Sequence, residues 1–279
     1  MRLGGPLFEK NLNPDSWCAA LKRAGYGAAY CPVDEKAPQE MVWDYARAAE
    51  KANIVIAEVG AWSNPLGPDA EAARKALTHN QERLAVAERI GARCCVNITG
   101  SRGKEWAGPH PDNLTPATFD LIVETVRKII DAVKPTKTFY TLETMQWMYP
   151  DSADAYARLI KAIDRPAFAA HFDATNLVTS PQIYFNTGAM IKDAIAKLGP
   201  HIRSCHAKDV SLAQKPHIHM DEIRPGLGNL DYRVYLQEIS KLDPDTPLML
   251  EHLPSEQEYA AAAKHIRGVA GEAGVSFRP

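Results

Sequence analysis

Eight short apolar runs punctuate this 279-residue chain, and between them lie longer stretches whose apolar residues recur at helical spacing. The runs are RLGGPLF at the start, GAAYCPV around Tyr30, IVIAEVGAW from Ile54, CCVNITG from Cys94, TFYTLETMQW from Thr138, FAAHFDATN from Phe168, IRSCHAKDV from Ile202 and PLMLEHL from Pro247. Strand followed by helix, repeated in this way, builds a parallel sheet covered by helices, and such a sheet either lies open or closes on itself. An open sheet that holds a dinucleotide carries G-x-G-x-x-G after its first strand, and LGGPLFEKN lacks it. The expectation is an α/β fold closed as a (β/α)8 TIM barrel, with a single domain over residues 1–279, a length such barrels commonly have.

Helix boundaries can be read in the same pass. Asn13 before Pro14 and Thr115 before Pro116 each place a capping side chain ahead of a proline at the first helical position, while Gly25 and Gly91 read as helix ends. The alanine-rich stretches AEAARKALTHNQERLAVAERIGA and SEQEYAAAAKHIRGVAGEAG read as outer-ring helices.

Composition excludes several classes of function. Lys and Arg total 32 against 34 Asp and Glu, a formal charge of -2, so the chain has no basic field to draw it to nucleic acid. Its hydrophobic content of 46% with 24% charged residues is that of a globular chain able to bury a large core. Five cysteines, at 18, 31, 94, 95 and 205, show no zinc-type spacing and sit in apolar segments, as reduced thiols of a cytoplasmic protein do. MRLGGPLFEKNL has no signal-peptide core and no 18-residue apolar run comes after it, so a cytoplasmic location without membrane contact is expected.

Chemistry in a parallel barrel sits at the C-terminal ends of the strands. There the fifth run offers Glu143, the sixth Asp173, the seventh His206 and the eighth Glu251. Three carboxylates converging on one apolar mouth repel one another and raise each other's pKa unless a cation lies between them, so the pattern implies a metal. Three oxygen donors and one imidazole suit Mn²⁺ first, with Mg²⁺, Co²⁺ and Zn²⁺ also within range.

The ordered set Glu143, Asp173, His206 and Glu251, with HAKDV followed by RPGLGNLDY from Arg224 to Tyr232, resembles the xylose isomerase-like TIM barrels, in particular the sugar phosphate isomerase/epimerase branch. The resemblance runs over nearly the whole chain. It implies one divalent ion held by these four residues and a small-molecule carbohydrate as substrate. The implied activity is an isomerase or epimerase acting on a keto-sugar or polyol-derived ketone, with proton abstraction through a metal-stabilised enediolate and Glu143 and Glu251 as the acid/base pair. The same ligand set serves a dehydratase or lyase on a keto-inositol or 3-keto-glycoside, so that alternative stays open. Self-association is also left open.

Further residues are candidates for substrate contact. His171 shares a strand face with Asp173, and Lys208 shares one with His206. Asn176 stands where many sugar epimerases of the family carry a histidine, and a neutral amide cannot titrate near neutrality. Trp62 and Trp106 are candidate aromatic walls for a sugar's C–H face, and Arg224 is the best placed of the charged residues in the loop after the seventh run. His252, adjacent to Glu251, is expected to face the outer helices. An abasic-site endonuclease of the same fold needs further histidines at the second to fourth strand ends, where YCPVD, EVGAW and VNITG have none. A non-catalytic subunit role is weakened by the intact four-residue set.

Overall fold

The computed structural model describes residues 1–279. Eight parallel strands form its centre: β1 (Arg2–Gly4), β2 (Ala28–Tyr30), β3 (Val55–Gly60), β4 (Cys94–Asn97), β5 (Phe139–Glu143), β6 (Phe168–Asp173), β7 (Ile202–Ala207) and β10 (Pro247–Leu250). They close into a barrel in the order β1, β10, β7, β6, β5, β4, β3, β2. All eight fall within the apolar runs of the sequence. The seventh run is divided, because its last two residues open β8 (Asp209–Leu212), which leaves the barrel and pairs antiparallel with β9 (Met220–Ile223). The loop expected after the seventh strand is therefore partly a hairpin.

Helices α1 (Pro14–Ala24), α2 (Gln39–Ala52), α3 (Ala70–Ile90), α4 (Pro116–Val133) and α5 (Ala153–Ile163) follow β1 to β5 in turn. The short α6 (Pro181–Tyr184) and α7 (Thr187–Leu198) follow β6, and α8 (Tyr232–Ile239) and α9 (Glu256–Glu272) complete the ring. Both capping signals hold: the Asn13 side chain accepts the Ser16 N–H, and the Thr115 hydroxyl accepts that of Thr118. Gly25 and Gly91 end α1 and α3 in the left-handed conformation, at φ 72° and 74°. Asn53, Lys134 and Asp164 do the same for α2, α4 and α5 without glycine, which is why those ends carried no glycine signal.

One apolar core fills the space between strands and helices, with Leu3, Leu21, Leu84, Ile129, Tyr156, Phe172, Tyr235 and Ile266 among its fully buried members. The five cysteines are free thiols, four of them buried. No helix is long and apolar enough to cross a membrane.

Two irregularities in the ladder decide which side chains enter the barrel. Between β2 and β3 the register passes from Ala29 opposite Ile56 to Tyr30 opposite Glu58, leaving Ala57 as an extra residue. Between β6 and β7 it passes from Ala170 opposite Ile202 to His171 opposite Ser204, leaving Arg203 as an extra residue. An inserted residue reverses which face the side chains beyond it occupy.

Candidate metal centre

The four strand-end residues meet. One ligand atom from each of Glu143, Asp173, His206 and Glu251 lies within 4.8 Å of all the others. Glu143 and Asp173 close β5 and β6, His206 is the penultimate residue of β7, and Glu251 follows the last residue of β10. The alternation of the strands carries the first three inward, since their neighbours Leu142, Phe172 and Cys205 pack in the outer core. His206 Nδ1 faces all three acids, 3.0 Å from Glu143 Oε1, 3.1 Å from Glu251 Oε2 and 3.5 Å from Asp173 Oδ2.

Lys208, two residues beyond His206 on the same face, reaches those same oxygens. Its Nζ lies 2.7 Å from Glu251 Oε2, 2.9 Å from Asp173 Oδ2 and 3.2 Å from Glu143 Oε1. The ammonium thus balances the carboxylates. Asn176 is buried beside them: its Nδ2 donates to Glu143 Oε1 at 3.1 Å, its backbone N–H to Asp173 Oδ1, and its Oδ1 accepts from Gln146.

The electrostatics follow from burial and proximity. Burial pushes the Asp173 carboxyl up, but Lys208 and His206 outweigh it and hold the group well below the usual carboxylate range. Glu251 is lowered against the same burial by His206 first and Lys208 next. Burial pushes the His206 imidazolium toward neutrality, and Glu251, Glu143 and Glu58 drive it well above its ordinary value. Lys208 is raised likewise by Asp173, Glu143 and Glu251 against its burial. Three carboxylates thus converge on one ammonium and one imidazole, a place where a further cation is stabilised.

A divalent ion fits this donor set. Three carboxylates and one imidazole are hard to borderline ligands, and no thiol is among them. Asp173 Oδ2 and Glu251 Oε2 are buried with no aligned hydrogen-bond donor, although both lie within ion-pair distance of Lys208.

The mouth around the cluster is held by its own loops. Asp209, next to Lys208, is buried and accepts four backbone N–H groups, from Val210 and Leu230 on one oxygen and Gly226 and Gly228 on the other. This ties RPGLGN to the end of β7. Gly226 sits at φ 92°, where glycine is favoured. From the hairpin, Glu222 approaches Lys208 Nζ at 3.9 Å.

The remaining candidates are placed as follows. Trp62 is exposed beyond β3, packed where a Cβ on Gly60 would collide with its indole. Trp106 is exposed in the loop after β4, and Trp147, from the loop after β5, donates its Nε1–H to Ala107 O beside it. Arg102 donates to Leu66 O and ties the loops together. Arg224 pairs with Glu258 of α9 at 2.9 Å, which takes its guanidinium to the rim helix. His171 is fully buried, with Nε2 2.8 Å from Glu58 Oε2, so it lies beneath the mouth and does not line it.

His252 corrects an expectation. The strand stops at Leu250, so alternation no longer governs the residues after it. His252 adopts φ 58°, is exposed, and turns to Glu222 of the hairpin at 3.2 Å, not to the outer helices. Burial opposes its charge, but the Glu222 hydrogen bond prevails and raises it above the ordinary histidine value.

The sequence profile of the xylose isomerase-like TIM barrel family matches residues 18–269, most of the chain. The chain belongs to this family. No curated protein matches it in sequence. Among solved structures, it is similar to a xylose isomerase-like TIM barrel protein from Mycobacterium smegmatis in complex with magnesium (18% identity, 95% of this chain and 91% of that one, TM-score 0.63). D-psicose 3-epimerase from Clostridium cellulolyticum with D-tagatose is also similar (12% identity, 99% and 100% coverage, TM-score 0.69). So is endonuclease IV from Thermus thermophilus (14% identity, 98% and 100% coverage, TM-score 0.72). At these identities the likeness is one of fold, and an epimerase and an endonuclease share it equally. The site must separate them.

One participant escaped the sequence reading. Glu58 of β3 is buried against both histidines, 2.8 Å from His171 and 3.2 Å from His206, and accepts the Ser204 hydroxyl at 3.0 Å. Its signal was present as a lone acid inside the apolar run IVIAEVGAW. Counting by twos from Ile56, which packs in the outer core, assigns it to the outer face, and only the extra residue Ala57 turns it inward.

Proposed function

We propose that the chain is a divalent-metal-dependent isomerase or epimerase acting on a keto-sugar or a polyol-derived ketone. One observation supports this above the others: three carboxylates and an imidazole from four adjacent barrel strands converge within 4.8 Å at the mouth. A divalent ion held by Glu143, Asp173, His206 and Glu251, with Mn²⁺ the first choice, would polarise a substrate carbonyl and acidify the neighbouring C–H.

The residues of the chain do the rest. Glu143 and Glu251 enter from different strands on either side of the cluster and move the proton, one as base and one as acid. Asn176 fixes Glu143 through its amide, and Trp62 and Trp106 offer aromatic faces to the substrate's C–H surface. The solved epimerase with bound D-tagatose supports a carbohydrate as the small-molecule partner. The strand ends after β2, β3 and β4 hold Cys31, Ala61 and Ile98 and bring no histidine, which favours the sugar reading over the endonuclease chemistry.

A second reading has its own support. Lys208 places a buried ammonium 2.7 Å from Glu251, a further proton donor beside the acid/base pair that a departing β-hydroxyl would use. Both readings begin with loss of a proton from carbon. The test is metal analysis of the purified chain together with solvent deuterium exchange into a panel of keto-sugars and keto-inositols. Exchange with retention of every hydroxyl supports the isomerase or epimerase; exchange with loss of one supports the lyase. No exchange in the metal-loaded chain on any substrate would refute both.

A further inference from the structure

The interior of a barrel is ordinarily filled by branched apolar residues, and a lone carboxylate there is costly unless its partners are built in. Glu58 is fully buried and has such partners. Oε2 accepts from His171 Nε2 and the Ser204 hydroxyl, and Oε1 lies against His206 Nε2. The rings of His171 and His206 meet edge to face at 4.2 Å, so the three residues form one packed unit directly under the strand-end cluster.

Both ladder irregularities of the barrel serve this unit. In β3, Ile56 packs against the helices, and the extra residue Ala57 reverses the alternation so that Glu58 points inward. In β7, Ile202 packs outward, and the extra residue Arg203 turns Ser204, His206 and Lys208 inward. A bulge re-aims a side chain, and here two bulges aim at each other across the barrel.

The consequence concerns which edge of His206 faces the acids. A neutral imidazole offers a lone pair on one nitrogen only, and the hydrogen bond made by the other nitrogen decides which. A carboxylate only accepts, so a contact to Glu58 Oε1 keeps the proton on Nε2. We infer that Glu58 is a positioning residue for the metal centre: it holds the Nε2 edge of His206 and turns the bare Nδ1 toward Glu143, Asp173 and Glu251.

This rests on the reading that those four residues hold a divalent ion. Mn²⁺ titration of the metal-stripped chain, with the free ion followed by electron paramagnetic resonance, tests both and separates them. Glu58→Gln keeps the side-chain volume and removes the charge, and it is expected to weaken Mn²⁺ binding by about 10- to 100-fold. A merely structural Glu58 would lower the unfolding temperature and leave Mn²⁺ affinity within twofold of wild type, which overturns the inference. Nitrogen-15 spectra of the Mg²⁺-loaded wild type give a readout that needs no variant. His206 is expected to carry its proton on Nε2, and a proton on Nδ1 overturns the inference even if Glu58→Gln does not fold. A wild-type chain that takes up no Mn²⁺ sinks the metal reading and this inference together.

Discussion

The barrel buries one basic aliphatic side chain at each end, and the two are matched in opposite ways. Arg2 and Lys208 are each 2% exposed. At the closed end, Arg2 donates to the Asp245 carboxylate, to the Asn53 backbone and side-chain oxygens, and to Pro279 O. Its side-chain acid is shared with Arg278, and oxygens of Asn53 and Pro279 accept three further N–H groups. At the mouth, a single ammonium meets Asp173, Glu143 and Glu251, with Glu58 a fourth acid behind His206. A cation with most of its acceptors built in fixes a fold. A shared one, outnumbered by acids, marks a place where a further cation is stabilised.

Substitutions can break this contrast, and the largest effect is expected at the mouth acids. Glu143→Gln and Glu251→Gln should each reduce substrate-carbon exchange by roughly 10²- to 10⁴-fold, measured as deuterium incorporation, with the unfolding temperature nearly kept. Full exchange in both variants would remove the acid/base assignment. Lys208→Met comes next. It leaves three buried carboxylates without their ammonium and should cost the metal-free chain about 3 kcal/mol in denaturant unfolding, with saturating Mn²⁺ restoring most of the loss. Arg2→Met should cost about 2 kcal/mol, since Asp245 keeps Arg278 and part of its hydration, and here Mn²⁺ should restore nothing. Equal rescue of the two variants by metal would erase the distinction between the ends.

The sequence and the fold agree most closely where side-chain periodicity is unbroken. Glu143 and Asp173 close their strands after regular alternation, so their inward aim was legible, as was the pairing of His171 with the face of Asp173; His206 lies beyond the extra residue Arg203 and was legible only from its place near the strand end, which carried Lys208 with it. Glu251 was legible as well, because an acid closing an apolar run is conspicuous. Legibility failed where the backbone departs from that period. The extra residue Ala57 hid Glu58, and the end of β10 at Leu250 released His252 from the alternation that assigned it to the outside. The β8–β9 hairpin was hidden too, since Asp209–Leu212 continues an apolar strand and only long-range pairing with Met220–Ile223 makes it a separate element. Arg224 and Glu258 lie far apart in the chain, so no local pattern announced their pair.

The smallest expected effect belongs to the closed end. The carboxylate of Glu88, near the end of α3, accepts the N–H groups of Thr136, Lys137 and Thr138 and the Thr136 hydroxyl, fixing the turn that feeds β5. Burial pushes this carboxyl up, and the hydrogen bonds, that of Lys137 foremost, outweigh it and leave the group below its ordinary value. A carboxyl depressed by folding binds its proton more readily in the unfolded chain. Its contribution is therefore complete above the ordinary carboxylate range and is lost as pH falls through the lowered folded value. Glu88→Gln should cost about 1 kcal/mol at neutral pH. The difference from wild type should shrink as the pH is lowered below the ordinary carboxylate range, with Mn²⁺ affinity at the mouth unchanged throughout. A Glu88→Gln penalty that grew on acidification would contradict the depressed carboxyl. A change in Mn²⁺ affinity would show that the two ends of the barrel are coupled, against the division of labour that Arg2 and Lys208 mark out.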